Sequence, residues 1–532
     1  MPLFNRLKKW LVRQLANPPS DAASADITNS QEHSHQEAAD LDSRVKSLKK
    51  HLEHCSDVIY HKFTAGPDVP CTLVYMKGMV DLKTVEQSIL KELMSFDSAE
   101  SANQFRILIF EYKQIPVAQQ KIHFSVKDTV QDILDGNAVL LVDGEPRILS
   151  LTAVGYEKRA ITEAPNESVI RGPRDAFVED LDTNLTLLRR RLKSSSFKVD
   201  MMMLGTESHT QLAVAYLEGK ARHEVVDEVK KRIKDIKVDA ILGAGYVEEL
   251  IEDHPYSPFP QMQYTERPDT VTASLLEGRV AILINGTPDV LLAPVTLFTL
   301  LQSAEDYYQR YIAATWIRWI RYLFLFVCFL LPSLYIAITT FHPDIIPERL
   351  LVTIASSREI VPFPTMVEAF MMEFIFEALR EASLRIPKAI GQAVSIIGAL
   401  IIGTAAVEAG IVSPFMVIIV SLTGIASFII PHYDLGLAFR LIRFPIMILA
   451  ATFGLFGVAC GLIMLYLHLV ELRSFGVPYM MPMTPIRPND LKDVLVRAPW
   501  WAMKTRPSFT SIDLRRQRKV SRQWTRELDE PE

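Results

Sequence analysis

Three acids on one segment stand out for their spacing. "MVEAFMMEFIFEALREASLRIPK", Met366–Lys388, carries Glu373, Glu377 and Glu381 at i, i+4 and i+8. On a helix they fall within about an 80° arc. In a ring of subunits such acids would stack as carboxylate rings, an arrangement that selects cations. The competing reading is pairing within the helix. Arg380 lies three residues after Glu377 and Arg385 four after Glu381, whereas Glu373 has no basic residue at either spacing. An isolated charge at mid-bilayer costs roughly 2.5–3.5 kcal/mol. The segment is therefore expected at an interface, or facing protein or water.

A second constellation lies in "GQAVSIIGALIIGTAAVEAGIVSP", Gly391–Pro414. Ser395, Ala399, Gly403, Ala406 and Gly410 share about an 80° sector of a helix, and Thr404 and Glu408 point nearly opposite. Lipid supplies no hydrophobic drive between helices, so small residues that permit close backbone approach mark packing faces. The stripe is expected to pack against another helix, of the oligomer or of the same subunit. The Thr404–Glu408 face is expected to border an ion path.

These residues need spans to hold them. Tyr322–Thr340, Ser413–Pro431 and Pro445–Leu467 are uncharged, each near the roughly 20 residues that cross a bilayer. Up to Ile317 apolar runs are short and broken by charge. The chain thus reads as an integral membrane protein with a soluble front half. Four spans are expected, at about 320–340, 391–408, 412–431 and 445–468, with Met366–Lys388 as an acidic amphipathic or partly inserted helix; five spans are the alternative. Four spans return the tail and its run "LRRQRKVSR" to the cytoplasm, and Arg318 and Arg321 agree with the positive-inside rule. No secretory signal peptide opens the chain, so the front domain is expected in the cytoplasm.

The front half echoes itself. "DGNAVLLVDGEPRILSL" matches "EGRVAILINGTPDVLLA", pairing Gly136 with Gly278, Gly144 with Gly286 and Pro146 with Pro288 at an offset of 142; Gly78 and Gly219 agree within one residue. The expected fold is an α/β N-terminal domain of two duplicated subdomains, followed by an α-helical transmembrane domain. Asp143-Gly144 and Asn285-Gly286 predict type I′ hairpin turns. The expected boundaries are an amphipathic start and flexible linker over 1–50, a first subdomain over 51–155, a connecting helix within 156–196, a second subdomain over 197–310, a helical membrane domain over 311–470 and a basic tail over 471–532. Pro173 suits a helix start, and Arg171, Arg174, Arg189, Arg190 and Arg191 fit either docking onto another subunit or a solvated connector. Tail residues Trp500 and Trp501 fit a membrane-skimming segment.

Enzymatic chemistry is the least supported reading. The chain has no GxxxxGK, GxSxG or HExxH motif, and no GxGxxG follows a strand. Four unpaired-looking cysteines and scattered histidines give neither a disulfide framework nor a metal site. No cofactor is expected. A net charge of −5 points to no nucleic acid.

Over about 51–485 the sequence resembles the A subunits of bacterial spore germinant receptors. The resemblance is carried by "ESVIRGPRDAFVEDLDTNLTLLRRRLK", "GQAVSIIGALIIGTAAVEAGIVSP", "IASFIIPHYDLGLAFRLIRFP" and "RSFGVPYMMP". It implies a multi-pass protein of the inner spore membrane that works with a transporter-like B subunit and a lipoprotein C subunit. It also implies a homo-oligomer acting as a nutrient-gated cation-release channel in contact with membrane lipids. A secondary transporter and a non-conducting scaffold subunit are the alternatives.

Overall fold

A computed structural model describes residues 40–66, 68–95, 101–155, 167, 169–385 and 403–516. The chain divides into two compact units. One takes residues up to 159 together with Leu185–Val199, and the other takes the remainder.

The first unit begins with α1 (Leu41–His51), ahead of β1 (Val58–Ala65) and β2 (Val69–Met76). A helical stretch at Thr84–Leu90 and Lys91–Met94 and then α2 (Ala102–Phe110) follow. The unit continues through β3 (Gln120–His123), α3 (Val126–Leu134), β4 (Ala138–Val142) and β5 (Ile148–Leu151). Strand order is β1-β2-β4-β5-β3, with all pairs antiparallel. Side chains alternate along a strand. Leu73 and Leu140 therefore face Ile89, Leu93 and Phe105, while Val74 and Val139 face Val45, Leu48 and Ile133. Helices thus cover both faces.

The second copy contains α4 (Leu181–Arg191), β6 (Phe197–Leu204), β7 (Thr210–Leu217), α5 (His223–Asp235) and α6 (Ala244–Ile251). It ends with β8 (Gln263–Thr265), α7 (Pro268–Leu276), β9 (Val280–Ile284) and β10 (Val290–Ala293). Its order, β6-β7-β9-β10-β8, repeats the first sheet strand for strand. The duplication is real.

The repeat also starts one helix earlier than the sequence reading placed it. Asp40 Oδ2 accepts from Ser43 N at 3.0 Å, and Asp180 Oδ2 accepts from Thr183 N at 2.8 Å. Asp143 Oδ1 accepts from Leu41 N at 3.4 Å, and Asn285 Oδ1 accepts from Leu181 N at 3.2 Å. Each copy therefore caps its first helix twice, once locally and once from its own hairpin turn. Two expectations are corrected. The linker over 1–50 does not extend to its end, because Val45 and Leu48 of α1 are buried. The connecting helix opens the second copy; it starts at Leu181 rather than Pro173. The expected type I′ turns are corrected as well. Gly144 and Gly286 have positive φ, but Asp143 and Asn285 do not. Their side chains serve as helix caps instead.

The second unit continues into α8 (Tyr311–Phe341), α9 (Glu348–Arg358), α10 (Thr365–Arg385), a helical turn over 403–408, α11 (Pro414–Phe428) and α12 (Tyr433–Glu471). Helices α8 and α12 are long and apolar enough to cross a bilayer. The helical domain has the composition of a transmembrane region.

Helix α12 is not one rod. Phe439 and His468 both lie against the ring of Phe259, at 5.3 and 5.9 Å between centroids. A continuous helix would separate them by about 44 Å. The chain reverses at Gly454, whose φ of 60° and ψ of −140° suit glycine alone. Gly461 then lets the returning leg close on Ile446 and Leu449. The single span expected over 445–468 is therefore corrected to a helical hairpin with both ends beside the second repeat.

Candidate functional site

Two layers of polar contacts in the second unit link the second repeat to the helices, and a third joins the helices to one another. The first is the loop after α6. Ser257 Oγ lies 2.9 Å from His468 Nε2, and Ser474 Oγ donates to Gln261 O at 2.6 Å. Arg279 donates to Gln263 Oε1 at 3.1 Å, and Gln263 Nε2 lies 3.4 Å from His432 Nε2. Phe259 is fully buried between these bonds and also packs on Tyr479. The repeat thus grips both ends of the α12 hairpin around one aromatic side chain.

The second layer surrounds the foot of α8. Arg321 binds both oxygens of Asp306, at 2.9 and 3.1 Å. Arg318 reaches Asp306 at 3.3 Å and Asp493 at 3.2 Å. Tyr307 donates its hydroxyl to Asp493 at 2.6 Å. Burial pushes the Asp493 carboxyl up, although Arg318 and the Tyr307 hydrogen bond oppose the shift. Arg318 and Arg321 precede the uncharged run of α8 and are buried in these ion pairs. The tail packs on the second repeat, where Ile512 N donates to Lys220 O and Arg222 donates to Ser508 O.

The third layer lies among the helices. Glu373 is buried and paired with Arg443, which also reaches Cys328 Sγ at 3.5 Å. Glu377 binds Arg380 at 2.9 Å and Arg440 at 3.5 Å. Arg380 continues to Ser427 Oγ at 2.8 Å and lies over the Phe428 ring. Glu368 accepts from Ser413 N and Oγ at the start of α11, where the helix dipole favours an anion.

The acidic stripe therefore divides. Glu373 has no basic residue three or four positions on; its partner, Arg443, comes from another helix, beyond any spacing rule along its own. Glu377 is pinned by two arginines, and Glu381 is exposed. The opposite-sign runs were visible: Glu373 and Glu377 are four apart, Arg440 and Arg443 three apart, both inside apolar sequence.

In the second constellation, Ser395 and Ala399 lie outside the described residues. Gly403 and Gly410 are buried, while Thr404 and Glu408 are exposed, so the two faces separate as expected. The small face packs within the chain. A Cβ on Gly403 would lie 3.5 Å from Val417, and one on Gly410 would lie 2.9 Å from Ile360. Ala406 is half-buried against the helical core. For the described part of the stripe, the contacts present are those of the within-subunit alternative.

The docking arginines divide as well. Arg189 is buried and forms two bonds to Asp57, at 2.7 and 2.8 Å, and one to Phe197 O at 2.9 Å. It holds the first unit together and is not available to a partner. Arg171, Arg174 and Arg190 are exposed, and Arg191 is half-buried.

The family model described as Bacillus/Clostridium GerA spore germination protein matches residues 46–509. The uncharacterized membrane protein YfkQ of Bacillus subtilis is 47% identical over 88% of this chain and 91% of its own length. Spore germination protein KA of the same organism is 43% identical over 88% of this chain and 87% of its own. The crystal structure of the N-terminal domain of the A subunit of the Bacillus megaterium spore germinant receptor GerK3 is 31% identical, covering 48% of this chain and 95% of that one, with a TM-score of 0.38. The chain belongs to the GerA spore germination protein family.

Proposed function

We propose that this protein is the A subunit of a nutrient-sensing spore germinant receptor. It acts in the inner spore membrane as a multi-pass protein, with a transporter-like B subunit and a lipoprotein C subunit. Its copies oligomerise around a gated path through which cations leave the spore. Family membership supports the germination role. The observation that carries the gating role is the seat of Phe259 in the base of the α12 hairpin: movement of the second repeat shifts helix ends directly. Both legs of that hairpin end beside the repeat, which supports a tail on the same side of the membrane as the soluble units.

The path is assigned to the exposed acids. Glu381, Thr404 and Glu408 border it, Glu377 lies at its edge, and Glu373 is a lock between helices. Reconstitution of the complete receptor with germinant-triggered potassium efflux tests this. Glu381→Gln with Glu408→Gln is expected to slow efflux roughly three- to tenfold at equal protein level, because carboxylates along a pore attract the permeating cation. Glu373→Gln is expected to reduce the amount of folded receptor instead, since an unpaired buried Arg443 costs about 3–5 kcal/mol. Unchanged efflux in the Glu381/Glu408 double variant would refute the path. Obligate counter-transport would favour a secondary transporter.

A further inference from the structure

The tail segment after Asp493 lies against the part of α8 that precedes its uncharged run. Trp319 Nε1 donates to Leu495 O at 2.9 Å, and the Tyr322 hydroxyl donates to Val494 O at 3.1 Å. Arg497 N donates to Thr315 Oγ1 at 3.2 Å. The segment therefore runs antiparallel to α8, deepest at Val494 and shallower by Arg497. Tyr322 is the first residue of the uncharged stretch, and Trp316 and Trp319 precede it with 62% and 50% of their surface exposed. Tryptophans at that position mark the headgroup level. The bonded tail is held at the same level.

What the tail exposes there is amphipathic. Leu495, Val496, Trp500 and Trp501 are each 43–50% exposed. Lys492, Lys504 and Arg515 are exposed on the same tail. Its acids turn to other work: Asp493 binds Arg318 and Tyr307, Asp490 accepts from Ser508, and Asp513 pairs with Arg506. Arg497 is buried, sandwiched against the rings of Tyr307 and Trp500. The outward charge of these groups is positive, beside apolar side chains.

We propose that residues 492–515 form an interfacial collar at the foot of α8 that binds anionic phospholipid headgroups of the leaflet facing the soluble repeats. The apolar side chains enter the headgroup boundary, and the three basic side chains meet the phosphates. This rests on the reading of α8 as a membrane span. Each basic side chain near an anionic surface contributes about a fivefold preference. The occupant is lipid rather than a second copy because the collar continues the Trp316–Trp319 belt of a span.

The test places a photo-crosslinking benzoylphenylalanine at Val496 in the full chain. The protein sits in nanodiscs of phosphatidylcholine mixed with phosphatidylglycerol, and adducts are read by mass spectrometry. The same probe at Leu323, exposed on the span itself, reads the span independently. The expected result is lipid adducts at both sites, with phosphatidylglycerol enriched at Val496 by at least about fivefold over the bulk ratio. The Lys492→Gln/Lys504→Gln/Arg515→Gln variant, checked for an unchanged elution profile, should return that ratio to bulk. Lipid adducts at Leu323 with protein–protein adducts, or none, at Val496 would overturn the collar. Lipid adducts at Val496 without enrichment would overturn the anionic preference. Absence of lipid adducts at Leu323 would instead refute the span, and the collar with it.

Discussion

Glu248, half-buried on α6, has its carboxyl pushed up to about 8, first by burial and then by Asp434, Glu252 and Asp289. Glu252 is pushed up to about 7, first by burial and then by Glu249 and Asp253. Both start from an ordinary value of 4.5. Between 4.5 and about 8 the folded chain keeps protons that the unfolded chain releases. Stability from these groups is full at the low end of that window, falls as pH rises and is flat above it. Glu248→Gln stays uncharged, so its melting temperature should fall less over this window and exceed that of the parent at the alkaline end. Thermal unfolding of the full chain across the window checks this, and parallel curves for the two proteins would sink it. Such clustering was not legible in the sequence, because Glu248, Asp289 and Asp434 come from three distant elements. The same limit hid Arg443 from Glu373. Periodicity reports neighbours along one helix and says nothing about the helix that packs across from it.

At the level of elements, the sequence was most legible where backbone chemistry was local. The paired Gly136/Gly278 and Gly144/Gly286 located two hairpins, and both copies contain them. The twin openings "DLDSRVKSLKKHL" and "DLDTNLTLLRRRL", 140 residues apart, were equally visible and would have placed the first helix of each copy. The reversal inside α12 was harder to see, because an apolar run looks the same straight or folded. Its signal is the trio Gly454, Gly457 and Gly461. Spin labels at the exposed Leu441 and Tyr466 test the hairpin. A continuous helix would hold those positions about 37 Å apart, and the hairpin brings them far closer. Gly454→Ala puts a Cβ 3.0 Å from both His342 and Phe341 at positive φ, a strain of about 1–3 kcal/mol. Its distance distribution should broaden toward longer values. A parent distance near the straight-helix value would refute the reversal.

On the scale of the molecule, the second unit joins sheet, helices and tail through one apolar core that runs from Phe259 and Val295 through Phe329 and Phe439 to Tyr479. Long-range meeting of this kind lay outside the sequence reading, which left the tail without a role. Its consequence is mechanical. Phe259 touches both legs of the hairpin, and the bonds Ser257–His468 and Ser474–Gln261 flank it. Phe259→Ala should leave a cavity worth about 3–5 kcal/mol, because a ring this deeply buried cannot be replaced by collapse of helices held at both ends. The flanking polar bonds would then lose the packing that aligns them. Hydrogen–deuterium exchange of the full chain in nanodiscs reads the result. Amides of residues 257–265, 433–440 and 464–474 should all exchange faster in the variant, while those of β1–β5, built on a separate core, stay unchanged. Faster exchange confined to 257–261 would mean that the loop merely rests on the helices, and the second repeat would then have no grip through which to move them.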